Sequence, residues 1–237
     1  VSSIDWTELT GSLVSPNIAR GVTSGTSKPN GGGTFTFAMN TLTATPGAYG
    51  RRATPQAPNT NFAPLPSGGD MSAAMVRAAG GGTTGFAVFM FLGLTGGAVS
   101  DEGYFLGLSD GAPCHIELRK GVLSQGLPDE SPGGVNKILR QSAGVVAVDA
   151  WVHLRLEMVS NANGDVILNC HQNDLAANPV TAPVWSAISG MASFVDDVAG
   201  INTGSAPFTS GHAGFAAVFS DITRRCFVDH LALARQA

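Results

Sequence analysis

The chain has 237 residues, of which 43% are hydrophobic and only 13% charged, with a net charge of −4. That length suits one large all-β core, and the absence of a basic stripe excludes nucleic acid as a partner. No apolar run reaches the roughly 20 residues a membrane helix needs, since the longest spans 86–92, and 31 glycines with 13 prolines predict many turns and little helix.

In chain order, Ile4, Trp6, Leu9, Leu13 and Val14 predict an opening strand that pairs late with the C-terminus. The start of the chain has neither a basic n-region nor an apolar h-region, so no signal peptide is expected in it. Residues 15–33 read as a loop, and Phe35, Phe37 and Met39 alternate in a strand over 34–42. Residues 45–70 carry five prolines and are expected as an extended arm, because proline at that density dismantles any packed element. A loop that long is either functional or a poorly ordered insertion. Its apolar anchors are Tyr49, Phe62 and Leu65, and Arg51 with Arg52 could reach an acidic neighbour. These five residues are the expected interface, and the arm is expected to lie across a contact between subunits.

Strands are then expected over 72–79, 86–94, 103–109 and 113–119, with weaker ones over 122–129 and 135–142. Val152, Leu154, Leu156 and Met158 alternate with His153, Arg155 and Glu157, the period-two mark of a half-buried strand. Asn163-Gly164 reverses the chain into a second strand over 166–171. Residues 173–210 read as irregular, with a short helical turn over 191–198, and the chain closes with strands over 211–219 and 226–234. Cys114, Cys170 and Cys226 each fall inside a strand and read as buried thiols rather than a disulfide set. The whole, 1–237, is expected as a single all-β domain: a two-sheet antiparallel jelly-roll sandwich with long irregular loops.

Several motifs match only by letter. Gly80-x-Gly82-x-x-Gly85 needs a following helix to bind a dinucleotide, yet a β-rich segment follows. Gly107-x-Ser109-x-Gly111 needs a strand-to-helix elbow, yet the next element reads as strand. The carboxylate pairs Asp101-Glu102, Asp129-Glu130 and Asp196-Asp197 read as solvated loop charge. Loop calcium is conceivable there, but no clear motif supports it, so no cofactor and no metal ligands are assigned. No catalytic residue is assigned either. The remaining polar set is His115, Glu117 and Arg119 on one strand, His153, Arg155 and Glu157 on a second, and Asn169 with His171 on a third. If these strands are neighbours, they form a binding patch of His115, Glu117, His153, Arg155, Glu157 and His171. The plainer alternative is a wet sheet face, on which Arg155→Ala would cost under about 1 kcal/mol.

The order of the strand beginning Trp151-Val-His-Leu-Arg-Leu-Glu157, the Asn163-Gly164 turn, Gly211-His-Ala-Gly214-Phe215 and Phe227-Val-Asp229-His-Leu-Ala-Leu233 resembles concanavalin A-like (laminin-G-like) jelly rolls. The resemblance covers about residues 71–237 and implies fold more than function. Enzymes of that superfamily carry a Glu-x-Asp-x-x-Glu strand and its legume-type lectins an Asp/Asn calcium cluster. Neither can be placed here, which implies a non-catalytic member. The Gly/Ala/Thr-rich, Lys-poor composition is similar to that of tailed-bacteriophage virion proteins. The expected function is therefore structural: a capsid decoration or tail component in the virion, contacting other subunits as a homo-oligomer or with capsid and tail proteins. The alternative is a lectin-like carbohydrate-binding module for cell-surface glycans, extracellular or at the cell surface. A glycan hydrolase or lyase ranks third.

Overall fold

The computed structural model describes residues 4–8, 35–38, 69–79, 86–94, 102–108, 114–122, 137–147, 150–180, 182–209, 212–219 and 225–236. These form β1 (Ile4–Glu8), β2 (Phe35–Ala38), β3 (Gly69–Ala79), β4 (Phe86–Leu94), β5 (Glu102–Leu108), β6 (Cys114–Val122), β7 (Lys137–Val146), β8 (Val152–Ser160), β9 (Val166–Asn173), β10 (Trp185–Ala187), β11 (Phe194–Asp196), β12 (His212–Phe219) and β13 (Arg225–Gln236). No helix occurs among the described residues. Of the proline-rich arm only residues 69 and 70 are described, opening β3. Tyr49, Arg51, Arg52, Phe62 and Leu65 lie outside the described residues.

The strands make an all-β sandwich of two antiparallel sheets. The larger runs β1-β13-β3-β8-β9-β10, with β2 also on β13 and β11 also on β9, and the smaller runs β12-β4-β5-β6-β7. The opening strand pairs with the closing one, Trp6 opposite Ala234, as the sequence predicts. The core lies between the sheets. Leu154, Leu156, Met158, Val166, Leu168 and Cys170 face it from the larger sheet, and Tyr104, Leu106, Ile116 and Leu118 from the smaller, all almost inaccessible to solvent. Side chains alternate across a strand, so His153, Arg155 and Glu157 lie on the outer face of the larger sheet. The β8–β9 turn forms as Asn163-Gly164 predicts. Gly164 has φ 87°, which a Cβ disfavours, and Asn161 Oδ1 accepts from the backbone N–H groups of Asn163 and Asp165 at 2.9 and 3.0 Å.

Two expectations need correction. Residues 191–198 contain no helical turn. Phe194–Asp196 is strand β11, paired with Leu168, Ile167 and Val166 of β9. Its short alternation puts Phe194 and Asp196 inward and Val195 outward, a pattern too brief to recognise before β9 supplies its partner groups. Trp185, in the stretch expected to be irregular, likewise lies in strand β10. The two sheets meet at an edge where Ala143 N–H of β7 donates to Ser189 O at 2.8 Å. A Cβ on Gly190 (φ 82°) would come within 2.8 Å of Ala143 N, so the approach requires glycine.

Candidate functional site

The outer face of the central hairpin assembles from register. His153 stands opposite Asn173, Arg155 opposite His171, and Glu157 opposite Asn169. Directly opposed residues share a face, so six polar side chains form one patch, and β10 adds Trp185 beside Asn173. Two of the six, His153 and Asn173, are buried, and Arg155, Glu157, Asn169 and His171 are half-buried. His153 is 3% exposed, its ring 4.6 Å from that of Trp185. The Arg155 guanidinium lies over the same indole at 5.2 Å. Asn173 Nδ2 donates to His153 Nδ1 at 3.3 Å and to Asn178 O at 3.0 Å, and Asn173 Oδ1 accepts from Val184 N–H at 3.0 Å. The segment leading to β10 is thereby fastened over the patch. Along its other side Ser193 Oγ donates to Asn169 Oδ1 at 2.5 Å, and Asn169 Nδ2 donates to Glu157 Oε2 at 3.1 Å.

Two nitrogens of this patch, Arg155 Nε and His171 Nδ1, are buried without a hydrogen-bond partner. Leaving such a group unpaired costs about 1–3 kcal/mol, more when it is charged. Burial lowers the proton affinity of both side chains. For His171 the Arg155 cation lowers it further and Glu157 opposes, so the imidazole is neutral near pH 7; for Arg155, Glu157 also opposes. A neutral imidazole offers one donor and one acceptor, and the guanidinium Nε–H one donor.

His115 and Glu117 do not join this patch. They lie on β6, in the other sheet, and strand order across a sandwich is not encoded in local pattern. Glu117 and Arg119 are 3% and 6% exposed and pair with each other. Arg119 Nε donates to Glu117 Oε2 at 2.5 Å, and Gln141 Nε2 donates to Glu117 Oε1 at 2.9 Å. His115 Nδ1 donates to Ser142 O at 3.2 Å. This group alternates with the inward Ile116 and Leu118, so it sits on the outer face of the smaller sheet. Glu117 and Glu157 thus stand on opposite outer faces and cannot flank one scissile bond in the manner of paired glycosidase carboxylates.

A third cluster went unseen in the sequence. Asp196 is not solvated loop charge but fully buried. Its Oδ2 meets Lys120 Nζ at 2.6 Å and accepts from Tyr104 Oη at 2.5 Å, and its Oδ1 accepts from Thr203 Oγ1 at 2.7 Å. Lys120 Nζ also donates to Ser205 O and Ala206 O, each at 2.9 Å, and Phe208 N–H donates to Tyr104 Oη at 3.0 Å. Every polar group here has partners. The cluster is a cross-sheet clasp that holds residues 203–208 against β5 and β6, and burial with the Asp196 hydrogen bond pushes the Tyr104 phenol far above its ordinary range. The inward alternation of Tyr104 and Lys120 on their strands was the available signal.

Cys114 and Cys170 are buried, and desolvation pushes the Cys170 thiol up to about 12. Among the described residues no group of three or more His, Cys, Asp or Glu side chains could hold a metal ion.

No family model and no curated protein matches the chain. Among solved structures it is similar to a lectin from Bauhinia forficata in complex with GalNAc, at 10% identity and a TM-score of 0.48, covering 100% of this chain and 99% of the lectin. A carbohydrate-binding module from Bacillus subtilis matches at 8% identity and TM-score 0.38, covering 98% and 95%. An alginate lyase matches at 11% identity and TM-score 0.45, covering 84% and 78%. These neighbours have concanavalin A-like jelly-roll folds. At such identities the likeness concerns fold and decides nothing about ligand or chemistry.

Proposed function

We propose that the protein is a non-catalytic carbohydrate-binding module that reads glycans with the outer face of β8, β9 and β10. The observation that carries this reading is the pair of unpartnered buried nitrogens, Arg155 Nε and His171 Nδ1, beside the indole of Trp185. Buried polar atoms normally have a partner, either protein or water, so two orphans on one face point to a ligand that supplies it. Neighbouring sugar hydroxyls both donate and accept, which suits a guanidinium, a neutral imidazole and the Glu157–Asn169 pair together. The indole supplies an apolar surface for C–H groups. Binding requires Trp185 to shift, because it covers Arg155.

A glycan array with wild type and Trp185→Ala tests this. Hits by wild type that the variant loses, with an unchanged circular dichroism spectrum, are the expected result. An array without hits, repeated with calcium, overturns it. A glycan-reading role fits an extracellular or cell-surface setting.

A second reading, a structural component of a larger assembly such as a virion, is supported by the segment from β11 to residue 201. Val195, Val198 and Ile201 are 40%, 58% and 84% exposed, and neighbouring exposed apolar side chains suit a contact with another subunit. Size-exclusion chromatography with light scattering tests it, and a strictly monomeric protein at high concentration counts against it.

A further inference from the structure

The last two strands of the smaller sheet each turn a cation toward the core side. On β6 it is Lys120, closed off by Asp196. On β7 it is Arg140, the register partner of Leu118. Leu139 is an extra residue between the pairs Leu118–Arg140 and Arg119–Ile138, so the strand is bulged there, and bulges re-aim side chains. Arg140 Cζ lies 4.8 Å from the centre of the Phe194 ring. Among the described residues its guanidinium makes one hydrogen bond, from Nη1 to Leu139 O at 2.8 Å. Among the described residues no carboxylate meets it. A guanidinium has five N–H donors in a planar fork that matches a carboxylate, so most of its donors remain available.

Arg140 borders a cleft of about 480 Å³ at the open edge of the sandwich, between β7 and β11. That volume lies within the roughly 300–1,000 Å³ of small-molecule sites. Ile138, Phe194 and Val195 give it apolar walls, and Ser193 and Asn202 give it polar ones. Asn202 is held in place, with Nδ2 donating to Val195 O at 2.8 Å. An inward guanidinium without a counter-charge, stacked on a ring and opening into an amphipathic cleft, is set up for an anion that carries an apolar surface.

We propose that this cleft binds a carboxylate borne on a six-membered ring, with the carboxylate paired to the Arg140 fork and the ring seated on Ile138 and Val195. The cleft borders the glycan-reading patch at Ser193, whose Oγ donates to Asn169, but the proposal rests on Arg140 and does not depend on that reading. A uronic acid and an aromatic acid share this chemistry, and they are told apart by probe.

The test is a titration of the isotopically labelled chain with sodium benzoate, sodium D-glucuronate, benzamide and methyl D-glucoside, followed by amide chemical shifts. Either acid should shift residues 138–140 and 193–202 at millimolar concentration, and the acid that binds more tightly names the source. The neutral probes should bind at least tenfold more weakly than the acids. Arg140→Gln should weaken acid binding at least tenfold, and Arg140→Lys should recover part of the loss. Val195→Trp, an exposed position, should fill the cleft and abolish binding while leaving the charge in place. Trp185→Ala, in the other patch, should bind the acids as wild type does. Equal affinity for benzoate and benzamide, or acid binding that survives both Arg140→Gln and Val195→Trp, overturns the proposal.

Discussion

Lys120 and Arg140 occupy neighbouring strands of one sheet and face the same way, yet their surroundings are opposite. Lys120 is 2% exposed and meets a carboxylate, a hydroxyl and two carbonyls. Arg140 is half-buried, rests on a ring and opens to a cleft. A buried ion survives only when its charge and hydrogen bonds are matched, so the Lys120 clasp is closed to ligands and its role is structural. An edge cation needs no such matching, because water reaches it, and it remains available for a ligand. Burial of charge therefore marks architecture in this molecule, and unmatched charge marks a candidate for binding.

The contrast breaks most sharply at Asp196. Asp196→Ala strands the Lys120 ammonium and the Tyr104 hydroxyl in the core and should cost about 3–5 kcal/mol in a denaturant melt. A loss below about 1 kcal/mol would mean the clasp relaxes into solvent. Leu156→Ala, at a fully buried site of the larger sheet, supplies the apolar yardstick and should cost about 2–5 kcal/mol. Arg155→Ala should cost about 1 kcal/mol, because a half-buried cation–ring contact with Trp185 is lost. Arg140→Met should cost about 0.5–1 kcal/mol, since it loses a ring contact near the surface and leaves no charge behind. A melt in which Arg140→Met matches Asp196→Ala would erase the distinction between the two cations.

The smallest effect concerns pH. The His171 imidazole is held below its ordinary 6.5, so the unfolded chain takes up a proton that the folded one refuses. Stability should be level above about pH 6.5 and fall as pH drops below it. Melts of His171→Gln across pH 5–8 should lose this component. An unchanged slope in the variant would assign the proton uptake to another group.

Much of this architecture is legible in the sequence because long strands carry a period of two. β4 occupies the expected 86–94 on the strength of a continuous apolar run instead, and β8 and β9 fall where alternation and Asn163-Gly164 place them. β10 and β11 are not legible, since three residues cannot establish a period and their pairing comes from β9. The same limit applies to the patch. His153, Arg155, Glu157 and His171 share a face because hairpin register is local. Trp185 joins them only through a strand too short to recognise, and His115 and Glu117 separate from them because sheet membership is set by distant pairing. The clasp joins Tyr104 to Asp196 across 92 positions, a separation at which no spacing rule operates.

β13 lies between β1 and β3 in the larger sheet, with consequences for synthesis. During translation β3 emerges long before residues 225–236, and until they arrive it has β8 on one side and an unpaired backbone edge on the other. β1 waits longer still for the same partner. Non-local pairing of this kind slows folding, and an open edge in the interim invites pairing with another nascent chain. A ribosome-bound chain stalled before Arg225 should therefore be protease-sensitive and chaperone-bound, and its release should hinge on the emergence of one twelve-residue strand.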